Sequence, residues 1–281
     1  MGASYLEVQL MGLRPGQLAL GLVQEGLLEL GYEAFREEGD RLYAYIARSR
    51  FDRVRLATQL QALGKGLNFT VEELPAQNWN AAYEAQLRPV CVSLGDGQLA
   101  IGTSSHPPVG GDWQLTIDPE GTFGDGHHPT TQLMLEQLHA HLLPGRRVLD
   151  VGCGSGILSV AASLWGAGGV DAIDIEPWAV VVAGRNAARN GCSNVTIRQQ
   201  DMAELSGGPY ALIMANVFYQ LLIDNFQCFW DLLAPGGVLL ASGLLGEQAQ
   251  GLILRAEGSG WTCCQRGARA GWHVVVLARG S

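Results

Sequence analysis

The sequence has almost no lysine. Of its 18 basic side chains only Lys65 is one, and 27 acidic side chains leave a net charge of −9. A chain that grips nucleic acid by its phosphates carries a basic stripe. None is visible here, so direct nucleic-acid binding is not expected. The shortage of lysine itself reads as an arginine-favouring base composition in the gene. No C-x-x-C pair occurs among the six cysteines, at 91, 153, 192, 228, 263 and 264. Vicinal Cys263 and Cys264 are poorly placed to pair. Reduced thiols in a cytoplasmic protein without structural zinc are the expectation. No charge-free apolar run of about 18 residues exists, so no membrane span is expected. Met1 to Leu10 carries Glu7 and no basic cluster, which is not the pattern of a signal peptide.

Glycine, in contrast, is abundant: 38 of 281 residues, roughly double the average share. No Gly-X-Y period accompanies it, which excludes collagen. Apolar residues make up 47%, enough for a large core and against wholesale disorder. At ~100–200 residues per domain the length fits one large domain or two smaller ones.

The pattern along the chain favours two. Residues 1–67 read as strand, helix, strand, strand, helix. Tyr5 to Leu10 alternates apolar and polar residues as a half-buried strand does. A helical stretch from Pro15 to Leu30 ends at Gly31. Glu33 to Phe35 and Leu42 to Ile46 are strands around a turn at Gly39. A second helix runs from Asp52, its N-cap, to Leu63, and Phe69 to Glu73 resembles a fourth strand. This order suggests a small α+β sandwich of the split βαβ, ferredoxin-like kind. It holds no histidine and nothing that looks catalytic. Residues 68–86 read as a linker containing a short helix. Residues 87–281 begin with short strands at Val90–Val92, Leu99–Ile101 and Trp113–Ile117. Strands then alternate with helices at 130–142, 156–166, 177–190, 219–233 and 246–257, which implies a parallel, doubly wound sheet. A closing hairpin, Trp261–Gln265 with His273–Ala278, adds an antiparallel strand.

The sharpest local signal is Val148-Leu-Asp-Val-Gly-Cys-Gly-Ser-Gly156, between a strand and a helix. Glycines at 152, 154 and 156 let a ligand press against bare backbone. The dinucleotide fingerprint is G-x-G-x-x-G; here the spacing is G-x-G-x-G, with Asp150 two residues ahead. A carboxylate there repels a pyrophosphate and suits a cation, such as a sulfonium carrying an amino-acid ammonium. S-adenosylmethionine (SAM) therefore fits better than NAD. Asp174 lies 22 residues beyond Gly152, at the end of the next strand, where an acid takes both ribose hydroxyls. Glu176 is the rival for that role, and either could instead cap the helix opened by Pro177. Asp201, after the third strand, is placed to meet an adenine amino group.

Upstream, Asp118-Pro-Glu-Gly-Thr-Phe-Gly-Asp-Gly-His-His-Pro-Thr-Thr131 makes a dense polar loop. Its adjacent histidines have no carboxylate or third histidine at a ligand spacing, so no metal is expected. Thr130 or Thr131 could cap the following helix while reaching the cofactor. Asn216 ends strand Ala211–Ala215, where its amide oxygen could accept from a substrate amine; the alternative is a plain helix cap.

Four phrases together carry a resemblance. Phe123-Gly-Asp-Gly-His-His-Pro-Thr-Thr131, Asp150-Val-Gly-Cys-Gly-Ser-Gly-Ile-Leu158, Ala172-Ile-Asp-Ile-Glu-Pro177 and Ala215-Asn-Val217 resemble the bacterial methyltransferases of large-subunit ribosomal protein eleven, the PrmA family. Asn78-Trp79 with Arg88-Pro89 resembles that family's linker. The resemblance implies a ferredoxin-like domain that holds the ribosomal protein, then a mobile linker. A seven-stranded, class I, Rossmann-like methyltransferase domain follows. It implies N-methylation of lysine side chains and of the N-terminal amine, by a monomer. Thr131, Gly152, Asp174 and Asn216 are then cofactor contacts, and Phe123, Gly154, Asp150 and Asp201 complete the expected cofactor site. Two departures are Asp125, where the family has Thr, and Val217-Phe218, where it has Ile-Leu.

Methyl transfer to an amine needs the amine neutral, and desolvation favours that form. Asn216 is expected to orient the amine, Phe218 and Tyr219 to line an apolar channel, and His127 or His128 to pass the proton to water. Methyltransferases of glutamine or of nucleic-acid bases commonly carry Asn-Pro-Pro-Tyr here, and this chain has Asn216-Val-Phe-Tyr219. A non-catalytic ribosome-binding module is opposed by the intact glycine loop and Asp174. Residues 1–78 hold 8 basic and 10 acidic side chains and the rest 10 and 17. The acidity that would attract a basic ribosomal protein thus lies mostly in the catalytic part.

Overall fold

The structure is a computed structural model that describes residues 5–12, 23, 26–27, 30–32, 34–38, 41–63, 67–73, 84 and 86–279. The chain divides into two compact units, residues 1–79 and 80–281.

In the first unit, β1 (Tyr5–Met11), β2 (Ala34–Glu38), β3 (Arg41–Ala47) and β4 (Asn68–Glu73) form one sheet in the order β2-β3-β1-β4. All neighbours run antiparallel. The period-2 pattern of β1 does what it promised: Leu6, Val8 and Leu10 are buried, with Leu42, Ala44 and Ile46 beside them on β3. Helix α1 (Arg53–Leu63) packs Leu56 and Leu60 into the same core. Asp52 caps it, its Oδ1 accepting from the backbone N–H groups of Val54 and Arg55. Only the assignment of 68–73 to the linker is overturned: the strand expected at Phe69–Glu73 is present as an edge strand, starting one residue earlier and paired with β1 throughout its length. Its alternation is weak because no residue of it is fully buried. The helix expected over Pro15–Leu30 lies outside the described residues except at 23, 26 and 27, which are helical, and Leu30, which is in a turn. The short linker helix lies outside them except at Glu84, also helical.

The second unit opens with β5 (Val90–Leu94), β6 (Gly97–Gly102) and β7 (Trp113–Thr116), a three-stranded sheet. Then come α2 (Pro129–His141), β8 (Arg147–Val151), α3 (Ile157–Leu164), β9 (Gly169–Asp174), α4 (Pro177–Arg189), β10 (Val195–Gln199) and β11 (Tyr210–Asn216). Helices α5 (Tyr219–Asp224) and α6 (Phe226–Leu232) follow, then β12 (Leu233–Leu245), α7 (Gly246–Glu257), β13 (Trp261–Arg269) and β14 (Trp272–Arg279). The seven-stranded sheet has the order β10-β9-β8-β11-β12-β14-β13. Its first five strands are parallel, and β14 is antiparallel to both neighbours.

The sheet is covered on both faces, which explains why its strands read as continuous apolar runs. Val148, Leu212, Met214 and Leu240 pack with α2 and α3 on one side. Leu149, Ile213, Ala215 and Leu239 pack with α5, α6 and α7 on the other. Burying each of these valine, leucine, isoleucine and methionine side chains stabilises the fold by ~1.5–3 kcal/mol. The single helix expected at 219–233 is two: Asn225 breaks it with φ −102° and ψ 12°, and its side-chain amide donates to the carbonyl of Leu221 at 3.0 Å. Among the described residues no helix is long and apolar enough to cross a membrane.

The order of β9, β8 and β11 places the switch in winding direction between β8 and β11. In such sheets the ligand crevice opens at the carboxyl ends of the strands beside that switch. Val151, Asp174 and Asn216 all end strands at this edge.

Candidate functional site

The glycine loop leaves β8 in a conformation that side chains resist. Gly154 has φ +53°, and a Cβ on it would lie 2.6 Å from the carbonyl oxygen of Phe123. At Gly152, φ +67°, a Cβ would meet Cγ1 of Val217 at 2.7 Å. Bare backbone is therefore required at both positions. The loop is anchored from two directions. Asp174 Oδ2 accepts from the backbone N–H of Gly154 at 2.9 Å, and its Oδ1 from that of Glu176 at 3.0 Å. Ser155 donates its N–H to the Phe123 carbonyl at 2.9 Å and its hydroxyl to the Gly124 carbonyl at 2.6 Å.

Asp150 lies beneath this loop and is 1% exposed. Ser159 donates to its Oδ2 at 2.5 Å, while Oδ1 is buried and has no partner among the described residues. Burial pushes its pKa up to about 7; the Ser159 hydrogen bond opposes this and the charge of Asp174 adds to it. Burial likewise pushes the thiol of Cys153 up, so it serves packing rather than chemistry.

The second half of the site comes from α2 and the end of β11. Helix α2 begins at Pro129, so its N-cap is His128 and not Thr130 or Thr131. His128 Nδ1 accepts from the backbone N–H of Thr130 at 3.3 Å and lies 2.8 Å from Thr130 Oγ1. Asn216 Nδ2 donates to that same Oγ1 at 3.3 Å. Asn216 is no helix cap, because α5 is capped by Phe218. Its Oδ1 is buried without a partner, as is Thr131 Oγ1. The His128 ring meets Phe123 and Trp272 edge-on, at centroid separations of 5.1 and 5.2 Å. Burial lowers its pKa, with Asp125 opposing. A cavity of about 460 Å³ opens beside His128, lined by Glu84, Thr122, Phe123, Asp125 and Pro129 among others. Asp125, a departure from the family pattern, accepts from the His127 backbone N–H at 2.8 Å and so shapes the turn itself.

The structure thus brings together Phe123, His128, Asp150, Gly152, Gly154, Asp174 and Asn216. Asp201 caps a one-turn helix, its carboxylate accepting from the Ala203 N–H at 2.9 Å, and is exposed. Glu176 is the N-cap of α4 but makes no side-chain cap bond, and Asp174 accepts from the N–H of Glu176 itself rather than from the first turn of the helix, so neither acid caps it. Thr130, expected with Thr131 to cap the helix while reaching the cofactor, instead bonds His128 and Asn216. Two groups escaped the sequence reading. Ser159, nine residues after Asp150, completes the buried pair. Asn186, fully buried, donates to the carbonyls of Asp118 and Ser155, both at 2.9 Å, and accepts from the Asp118 N–H at 3.0 Å. It ties the two loops together, and an asparagine on an apolar helix face was the available signal.

Of seven buried side-chain polar atoms without a partner among the described residues, three, Asp150 Oδ1, Thr131 Oγ1 and Asn216 Oδ1, belong to β8, α2 and β11, the elements beside the winding switch. Buried polar atoms are rarely left unpaired without a reason. Asn216 Oδ1 only accepts, Thr131 Oγ1 is a hydroxyl that can accept or donate, and Asp150 Oδ1 belongs to an acid; the backbone between them is stripped of side chains. That set fits a ligand bearing N–H donors and positive charge, as SAM does.

Comparison with known proteins agrees. A family model described as "Ribosomal protein L11 methyltransferase (PrmA)" matches residues 23–280. The chain is 35% identical over 276 residues to the ribosomal protein L11 methyltransferase of Porphyromonas gingivalis, covering 93% of each. It is 41% identical over 206 residues to that of Pelotomaculum thermopropionicum, covering 72% of this chain and 66% of the relative. A crystal structure of ribosomal protein L11 methylase from Lactobacillus delbrueckii subsp. bulgaricus superposes with a TM-score of 0.63 at 27% identity, over 69% of this chain and all of that one. The chain belongs to the ribosomal protein L11 methyltransferase (PrmA) family.

Proposed function

We infer that this protein is a SAM-dependent methyltransferase of ribosomal protein L11, acting on lysine side chains and the N-terminal amine. The observation that carries the finer reading is the buried, unpartnered Oδ1 of Asn216 at the carboxyl end of β11. When bound, SAM supplies an already activated methyl group, so the protein mainly positions and desolvates the reactants.

Each residue has a part in that task. Gly152 and Gly154 let the cofactor lie on backbone, Asp174 takes the ribose hydroxyls, and Asp150 answers the positive charge. Thr131 and Phe123 close the site from the α2 side, and Asp201 meets the adenine. Asn216 accepts an N–H of the incoming amine and so turns its lone pair toward the methyl group. A lysine enters protonated in water and must be neutral to attack; an apolar entrance favours the neutral form. Phe123 and Phe218, 54% and 82% exposed, supply such an entrance. The net charge of −9 favours the approach of a basic ribosomal protein. Residues 1–79 serve to hold that protein, as a ferredoxin-like recognition domain.

The test is one incubation of the full-length enzyme with labelled SAM and unmethylated ribosomes or free ribosomal proteins. Label in L11, on lysine and N-terminal amines by peptide mass spectrometry, is expected. Label only in RNA or in another protein refutes the substrate assignment. Asn216→Ala should lose turnover at saturating cofactor; full turnover would refute its role.

A further inference from the structure

The start of α2 and the end of β11 share a hydrogen-bond chain whose direction is fixed at one end by the backbone. The Thr130 N–H points at His128 Nδ1, 3.3 Å away. A backbone N–H can only donate, so Nδ1 is an acceptor and His128 carries its proton on Nε2. Thr130 Oγ1 lies 2.8 Å from the same nitrogen, so the hydroxyl must donate to it as well. The hydroxyl oxygen then has only lone pairs for Asn216, 3.3 Å away, and the atom facing it must be the amide Nδ2. This polarity leaves the amide oxygen as the free end, buried and unpartnered. The ring is held in place by Phe123 and Trp272, and its burial disfavours the charged form.

We propose that His128 and Thr130 are positioning residues that fix which end of the Asn216 amide faces the reacting amine. The inference rests on the reading of Asn216 given above. An attacking amine keeps its lone pair for the methyl group and offers N–H donors to its surroundings. An amide oxygen accepts one of them, whereas an amide NH₂ in the same place opposes it. The two ends of an amide are nearly equal in shape, so only hydrogen bonding selects between them. His128 is then an anchor rather than a proton carrier: two donors already converge on its Nδ1.

The test compares full-length variants with SAM and L11, reading kcat, KM and SAM affinity by calorimetry. Thr130→Val keeps the shape and removes the hydroxyl, while Thr130→Ser keeps the hydroxyl. His128→Ala removes the acceptor, while His128→Asn restores one at the cap. Thr130→Val and His128→Ala should lower kcat about tenfold to a hundredfold, as for one misdirected buried hydrogen bond. SAM affinity should stay within about threefold, since ground-state binding is not what is lost. The Ser and Asn variants should recover most of the rate. Nitrogen-15 NMR of His128 in the unmodified protein should show the Nε2–H tautomer; the Nδ1–H form overturns the proposal whatever the kinetics. Native kcat in Thr130→Val, with Asn216→Ala inactive, overturns the positioning role and leaves the Asn216 reading standing. Native turnover in Asn216→Ala refutes that reading itself. A loss confined to SAM affinity assigns the chain of bonds to the cofactor and likewise overturns the proposal.

Discussion

Replacing Asp150 with Asn should make the free protein more stable and the enzyme worse. Asp150 is 1% exposed, with one oxygen bonded to Ser159 and the other unpartnered. Burial is the chief reason that its pKa rises from 3.8 to about 7. Below the unfolded value the acid is protonated in both states and costs nothing. Between the two values the folded chain holds a proton that the unfolded chain has released. Stability therefore falls as pH rises through this window. Above the folded value both states are ionised, the slope vanishes and the whole penalty is in place. A shift of about 3 units at ~1.4 kcal/mol each gives about 4 kcal/mol.

Asparagine never ionises. Its carbonyl oxygen can keep the Ser159 hydrogen bond, so the variant lacks the penalty. Thermal melts of both proteins at several pH values between 4 and 9 isolate the effect, because every other group is common to the two. The curves should coincide near pH 4 and separate by up to about 4 kcal/mol in favour of Asp150→Asn above pH 8. The advantage should reverse in the presence of SAM, whose positive charge the ionised carboxylate answers. SAM affinity of the native protein should accordingly rise with pH through neutrality, and that of the variant should not. Parallel melting curves across the whole range would refute the reasoning, since they would mean that Asp150 carries no buried charge.

Two further perturbations address the loops. Gly154→Ala should weaken SAM binding at least tenfold by calorimetry, because its Cβ meets the Phe123 carbonyl at 2.6 Å. Gly191→Ala, with φ +71° and open space around it, shares only the conformational cost of roughly 1–2 kcal/mol. If the two were equal in SAM affinity, the close approach at Gly154 would be irrelevant to the site. Asn186→Ala removes three loop hydrogen bonds at once. It should cost about 2–4 kcal/mol in a denaturant titration and loosen SAM binding; a loss under about 0.5 kcal/mol would show that the two loops hold together without it.

What could be read from the sequence followed from one-dimensional rules. Periodicity placed β1, with Leu6, Val8 and Leu10 inward, and the βα alternation placed every strand of the parallel sheet. The hairpin became the antiparallel pair of β13 and β14. Glycine spacing and strand ends picked out Gly152, Gly154, Asp174 and Asn216, which the structure gathers at the carboxyl edge of the sheet. The misses share a different cause. The split at Asn225 turned on one residue's backbone angles within an otherwise helical apolar pattern. The expected linker covered β4, although Phe69–Glu73 itself reads as a strand, because an edge strand with slight burial resembles connecting chain. His128 caps α2 because the helix starts at Pro129, and threonines nearby are statistically better caps. Asn186 and Ser159 matter through partners 68, 31 and 9 residues away. A polar residue on an apolar helix face hints that such a partner exists, as at Asn186, but nothing local names it.

Two aspartates on adjacent strands show what distinguishes a site from a scaffold. Asp150 on β8 pairs in register with Ala172, next to Asp171 on β9. Burial raises the pKa of Asp171 too, but Arg147, Tyr210 and Arg198 outweigh it and the net shift is downward. Arg147 and Arg198 reach its two oxygens at 2.6 and 2.9 Å, and Tyr210 donates at 3.1 Å. The fold can therefore satisfy a carboxylate in this sheet when nothing else is required of it. One register step away, at the carboxyl edge, it leaves Asp150 with one serine and a free oxygen. Thr131 and Asn216 are treated in the same way. Unsatisfied groups gathered toward the ends of β8 and β11 and in the first turn of α2 are a stability cost that a bound cation and an incoming amine can relieve. In this chain the crevice is marked as much by the bonds its acceptors lack as by the residues it contains.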